Sequence, residues 1–155
     1  MGKSFAQLVD ELREEVEEIF PWDLEEWLEE ERDVLLVDIR EPYEFEAMKI
    51  RDSILVPRGV LETAAEWGFE ETKPVLVQAR DRHVVVICRS GNRSVFAAKT
   101  LLQMGFKHVV SLKTGLKGWN DSELPLEDPC HQVIDIDDAD EYFTAKITAE
   151  QMPPQ

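Results

Sequence analysis

Val84-Val85-Val86-Ile87-Cys88-Arg89-Ser90-Gly91-Asn92-Arg93-Ser94 is the stretch on which the fold and the chemistry both turn. Its first four residues are apolar and β-branched, a run that suits a strand covered on both faces. After Ser94 the spacing changes. Phe96, Ala97, Leu101, Leu102 and Met104 recur at helical steps and stop at Gly105, where a helix C-cap is expected. A buried strand is therefore joined to a helix by a short polar loop. In an open α/β sheet such a junction lies at the carboxyl end of the strand, where ligands bind.

Three effects meet in that loop. Free N–H groups at the helix start, together with the helix dipole, favour an anion. Gly91 lets the backbone curl so that successive N–H groups point inward. Arg89 and Arg93 add two positive charges. All three favour thiolate over thiol at Cys88, the form a cysteine nucleophile requires. A cysteine that merely ended a strand as a small hydrophobe would gain nothing from cationic neighbours.

Outward from this unit, Val34-Leu35-Leu36-Val37 (ending at Asp38), Ile54-Leu55-Val56 (before Pro57) and Val109-Val110-Ser111-Leu112 read as further strands. A short helix containing Leu116 and Trp119 follows the last of them, and Val75-Leu76-Val77 fits either a helix or a strand. Ser4 with Gln7 has capping-box spacing, and Phe5, Leu8, Val9, Leu12, Val16 and Ile19 predict an amphipathic helix over about residues 5–18, ending before Pro21. Asp23 with Glu26 offers a second cap, for a short helix whose apolar face is Leu24, Trp27 and Leu28. Strands alternating with helices predict an α/β fold: a mostly parallel sheet of about five strands with helices on both faces. Three regions follow: an acidic helical extension at 1–18, the α/β domain at 19–126, and an acidic tail at 127–155 that is ordered in part.

The chain of 155 residues has 17 Lys and Arg against 33 Asp and Glu, a net charge of -16. Residues 1–31 carry -10, residues 121–155 carry -9, and residues 32–120 carry +3. Nucleic acid and anionic membrane are thus excluded as main partners, because both need clustered Lys and Arg. The acidic ends supply solubility or a docking surface for a basic partner. No apolar run approaches the roughly 18 residues of a membrane span. Met1-Gly2-Lys3-Ser4-Phe5 leads into an acidic segment rather than an apolar one, so a cytoplasmic location is expected. Two cysteines, Cys88 and Cys130, are too few for a disulfide framework.

The pattern Cys-Arg-x-Gly-x-Arg-Ser at 88–94 resembles the active-site loop of single-domain rhodaneses, the thiosulfate sulfurtransferases. Leu36-Val37-Asp38-Ile39-Arg40-Glu41 with Tyr43-Glu44-Phe45 resembles that family's Asp-x-Arg segment. Ile50-Arg51-Asp52-Ser53-Ile54-Leu55-Val56-Pro57 resembles the approach to its next strand, and Gly115-Leu116-Lys117-Gly118-Trp119 its closing Gly-x-x-x-Trp motif. The match runs from about Ile19 to Leu126. Lys49 stands where the family commonly has a histidine.

The resemblance implies a rhodanese-like fold and a reaction without cofactor or metal. In it, Cys88 takes a sulfane sulfur from a small anionic donor and passes it, as a persulfide, to cyanide, a thiol or a protein acceptor. Arg89, Ser90, Gly91, Asn92, Arg93 and Ser94 would form the cradle, with Arg89 facing the donor and Arg93 bracing the loop. Ser94 contributes a hydroxyl or is simply a first-turn residue. Asp38 and Arg40 invite a catalytic reading, but the resemblance suggests that they support the loop.

His83, His108 and His131 show no metal-ligand spacing with either cysteine. His83 lies at the far end of its strand from Cys88, too distant to act as its base at about 3.3 Å per residue. A cysteine phosphatase or arsenate reductase is the competing enzyme class. Loops of that class place five residues between Cys and Arg, whereas this one places four, Arg89 to Asn92. A sulfur carrier docked to one protein partner is the other alternative. Cys130, beside Pro129 and Asp128, would make a poor resolving thiol.

Overall fold

A computed structural model describes residues 1–155. Its elements run α1 (Phe5–Arg13), β1 (Glu17–Ile19), α2 (Pro21–Glu29), β2 (Val34–Asp38), α3 (Pro42–Ala47), β3 (Ile54–Leu55), α4 (Leu61–Ala64), α5 (Pro74–Val77), β4 (His83–Ile87), α6 (Arg93–Gln103), β5 (His108–Leu112), α7 (Gly115–Asp121) and α8 (Ile136–Phe143). The five strands form one parallel sheet in the order β1-β5-β4-β2-β3. No helix is long and apolar enough to cross a membrane.

Strand alternation divides the core in two. Leu35, Val37, Val84, Val86, Cys88 and Val109 face one layer, where they meet Leu61 and Ala64 of α4, Leu76 of α5, and Val95, Ala98 and Leu101 of α6. Leu36, Val85, Ile87, Val110 and Leu112 face the other, against Leu24 of α2, Leu116 and Trp119 of α7, and Ala139 and Phe143 of α8. Cys88 belongs to the row of Val84 and Val86, so its side chain falls under the start of α6. Register pairs Asp38 with Ile87 and Val86 with Ser111, which brings the carboxyl ends of β2 and β4 together beside β5.

Several boundaries differ from expectation. The capping box of Ser4 forms: Ser4 Oγ accepts from Gln7 N at 3.1 Å, and Ser4 N donates to Gln7 Oε1 at 2.7 Å. The helix stops at Arg13 rather than continuing to 18, and Glu17–Ile19 becomes an edge strand paired with Val110–Leu112. Leu12, Val16 and Ile19 satisfy a helical spacing, yet three residues with two glutamates are too short to reveal a strand. The predicted extension at 1–18 thus contributes a strand to the sheet, and α1 lies on α6 with Phe5 stacked on Phe96 and Glu15 paired to Lys99. Helix α2 begins at Pro21, two residues before the expected cap; Asp23 sits at N3 and accepts from Phe20 N at 2.9 Å. Val75-Leu76-Val77 is helical, following Pro74 at the first helical position. Helix α6 ends as predicted, with Gly105 at φ +91° and Phe106 N donating to Leu101 O.

Within the acidic tail, Ile134 N donates to Leu126 O at 2.8 Å, and α8, capped by Asp135, lies against α7. Ala139 and Phe143 bury its apolar side, while its acidic residues stay exposed.

Candidate active site

Cys88 is 1% exposed; its sulfur accepts from two backbone amides and, as a thiol, donates to the Ser94 hydroxyl. Gly91 N lies 3.1 Å from Sγ, Ser94 N 3.3 Å, and Ser94 Oγ 3.3 Å. The two amides are free because they precede or open α6, and the dipole of that helix points at the same atom.

Why the N–H groups turn inward follows from where the carbonyls go. Cys88 O accepts from Leu116 N at 3.0 Å and Arg89 O from Lys117 N at 2.9 Å, so the first turn of α7 takes the carbonyl side of the loop. Two glycines make this approach possible. A Cβ on Gly115 would sit 2.5 Å from Cys88 O, and one on Gly91, at φ +86°, would sit 2.7 Å from Thr114 N.

The two arginines make different contacts. Arg93 makes two parallel bonds to Glu44, each 2.9 Å, in a pair that is 37% exposed on the arginine side and 7% on the glutamate side. Burial alone would raise the Glu44 carboxyl. The hydrogen bonds from Arg93 and Glu41 N, with the charges of Arg93 and Arg40, outweigh it and hold the group below the usual carboxylate range. The hydrogen bond to Glu44 raises Arg93 in turn.

Arg89 reaches across to the tail, where Nη2 donates to Phe143 O at 2.8 Å. Tyr142 stands beside this contact with its phenol raised, first by burial and then by the charge of Glu44. Asn92 Oδ1 accepts from Arg13 Nη2 at 3.2 Å, which ties the loop to the end of α1, and Ser90 is exposed.

Asp38 and Arg40 are both 0% exposed and bond to one another: Nε to Oδ1 at 2.9 Å and Nη2 to Oδ2 at 2.8 Å. Arg40 also donates to Met48 O at 2.7 Å. Neither residue is hydrogen-bonded to Cys88; the pair joins the end of β2 to the end of α3. His83 lies at the amino end of β4, stacked on His108, and His131 bonds Glu127 at 3.0 Å. Cys130 is exposed on the turn at 128–131, and both cysteines are free thiols.

The sequence reading did not single out Glu44 as a site residue, nor Ser111, Tyr142 or Phe143. Glu44 did fall within a motif it quoted. The other three had no local signal: Ser111 and Phe143 reach the loop from distant segments, and Tyr142 stands beside Phe143.

The site is thus a parallel α/β sheet with a cysteine at the carboxyl end of its central strand, its sulfur met by two amides at a helix start. Residues 21–122 match the rhodanese-like domain family, and the chain belongs to that family. It is 34% identical over 116 residues to a sulfurtransferase of Allochromatium vinosum, a match covering 74% of this chain and 97% of that one. Among solved structures it resembles RPA3614 of Rhodopseudomonas palustris, a protein of unknown function described as a possible tyrosine phosphatase. There the TM-score is 0.75 with 32% identity, covering 82% of this chain and 96% of the other. A thiosulfate sulfurtransferase of Pseudomonas aeruginosa shares the fold at TM-score 0.65 and 23% identity, covering 90% of this chain and 25% of that one.

Proposed function

We propose that this chain is a sulfurtransferase that carries sulfane sulfur on Cys88. The observation behind the reading is the convergence of Gly91 N, Ser94 N and Ser94 Oγ on Cys88 Sγ. The two amides aimed at one buried atom stabilise negative charge there without reorganisation, and the Ser94 hydroxyl adds a third donor once its proton turns to the charged sulfur.

In the first half-reaction the Cys88 thiolate attacks the outer sulfur of a donor such as thiosulfate. A new S–S bond forms to Cys88, the old one breaks, and its electron pair leaves with sulfite. In the second, an acceptor nucleophile attacks the outer sulfur of the persulfide and Cys88 departs as thiolate. With cyanide the product is thiocyanate. The amides serve both halves, since negative charge stays on sulfur throughout. Arg89 is the donor-facing cation: its guanidinium exchanges the Phe143 carbonyl for the oxyanion end of the donor. Arg93, committed to Glu44, holds the loop in shape.

The description attached to the Rhodopseudomonas palustris relative makes phosphate-ester hydrolysis the reading to weigh against this one. Two features disfavour it. Only four residues separate Cys88 from Arg93, and the Arg93 fork that would have to grip a phosphate is occupied by Glu44. Intact mass after thiosulfate treatment, with and without cyanide, tests the proposal. One added sulfur atom, lost to cyanide and absent in Cys88→Ser, is the expected result. No added sulfur, with aryl-phosphate turnover that vanishes in Cys88→Ser, would overturn it.

A further inference from the structure

We propose that Ser111 is a positioning residue for Cys88, acting through Ser94: it orients the Ser94 hydroxyl so that its proton points at the sulfur. The inference deepens the sulfurtransferase reading and rests on Cys88 being the nucleophile. Ser111 lies on β5, 17 residues beyond Ser94, and is 0% exposed. Its side chain occupies the α6-facing row that Val109 begins, opposite Val86 in register. That row is otherwise apolar, and a hydroxyl buried there costs free energy unless it is hydrogen-bonded. Its partner is Ser94 Oγ, at 2.7 Å.

The three atoms form a chain: Cys88 Sγ, Ser94 Oγ at 3.3 Å, and Ser111 Oγ at a further 2.7 Å. Each hydroxyl has one proton to give, which fixes how the chain is ordered. With Cys88 as thiolate or persulfide, sulfur only accepts. Ser94 then gives its proton to sulfur, and its oxygen accepts from Ser111. With Cys88 as thiol, S–H donates to Ser94 Oγ and the Ser94 proton turns to Ser111. The second serine therefore allows the first to donate to a charged sulfur while its own oxygen remains satisfied. Hydrogen bonds in such a row polarise one another, and the buried surroundings strengthen the effect. An alanine at 111 would leave Ser94 free to rotate between sulfur and the carbonyls three and four residues before it, in the loop.

The experiment follows alkylation of Cys88 by iodoacetamide across pH, in a Cys130→Ser background so that one thiol reports. Losing the neutral Ser111–Ser94 hydrogen bond that orders the charged form is worth about three- to tenfold. Ser111→Ala should move the pH profile upward and slow alkylation by about that factor on its acid limb. The rates should converge at the alkaline plateau, where every molecule is thiolate. Ser111→Thr, which keeps the hydroxyl, should restore the profile. Ser94→Ala should shift it at least as far, and adding Ser111→Ala to Ser94→Ala should change nothing more.

An unmoved profile in Ser111→Ala, an equal slowing at every pH, or additive effects in the double variant would each overturn the proposal. The readout needs no sulfur transfer, so a chain that fails to gain sulfur from thiosulfate yet shows these shifts would refute the function proposed above and leave the role of Ser111 standing.

Discussion

Replacing Gly91 by alanine places a methyl group where the loop has no room for one. The backbone at this position has φ +86°, a conformation that costs an L-residue about 1–2 kcal/mol. The added Cβ would also lie 2.7 Å from Thr114 N and 3.2 Å from Leu112 O. Both are backbone atoms anchored by β5 and α7, so the loop rather than its neighbours must yield, at a further ~1–3 kcal/mol. A total near 3 kcal/mol corresponds to a Tm lower by about 6–12 °C in a chain of this size. Gly105→Ala is the internal control. Its φ is +91°, yet a Cβ there meets nothing within 4 Å, so it incurs only the backbone penalty of about 1–2 kcal/mol. The two variants should also part in chemistry. As the loop yields, Gly91 N moves off Cys88 Sγ and alkylation of Cys88 slows about tenfold or more, the worth of one hydrogen bond to a charged sulfur, whereas Gly105→Ala leaves it unchanged. Equal losses of Tm in the two variants, with Cys88 equally reactive in both, would refute the account of how the loop is held.

Two further outcomes follow from the ion pairs. Glu44→Gln should destabilise by about 1–2 kcal/mol at neutral pH, a figure discounted because Arg93 is 37% exposed. Because the folded Glu44 carboxyl is held below its ordinary value, its contribution is complete above the unfolded carboxylate pKa and is lost as pH falls through the lowered one. Denaturation midpoints of wild type and variant should therefore converge in acid; a constant gap would show that the pair is not the cause. Asp38→Asn leaves Arg40 charged at 0% exposure without its carboxylate, and should cost ~3–5 kcal/mol in chemical unfolding. The folded fraction should still take up sulfur on Cys88, and loss of that uptake at unchanged stability would make the pair catalytic.

The parts of this molecule legible in its sequence are those whose signal lies within one turn or one strand. The run Val84–Ile87, the polar loop and the helix ending at Gly105 are each local, and together they placed Cys88 at the carboxyl end of a buried strand. Glu17–Ile19 escaped because three residues cannot display an alternation, and their neighbours Leu12 and Val16 also satisfy a helix. The capture of Arg89 by Phe143 O joins residues 54 apart, and nothing in the composition of an acidic tail announces it. Ser111 is more instructive. One serine in a strand is unremarkable by itself, and it acquires meaning only when parallel register sets it beside β4 and strand parity turns it toward α6. By the same geometry, deleting residues 1–18 would remove Val16 from the core and two of the three residues of β1, so such a deletion could not separate docking by the N-terminal helix from loss of packing.

Parity has one more consequence. The sulfur meets its donors because Cys88 falls an even number of residues after Val84 and Val86, on the side that α6 covers. Within β4, valine can give way to isoleucine or leucine at modest cost, since each face needs only bulk of about the right size. The count has no such tolerance. A single residue inserted into the strand would preserve its hydrophobicity and spoil its phase. The thiol would then turn to the opposite layer, among Leu116, Trp119 and Phe143, away from the amides of Gly91 and Ser94. Drift among homologues of this chain should accordingly be free in the spelling of β4 and silent in its length.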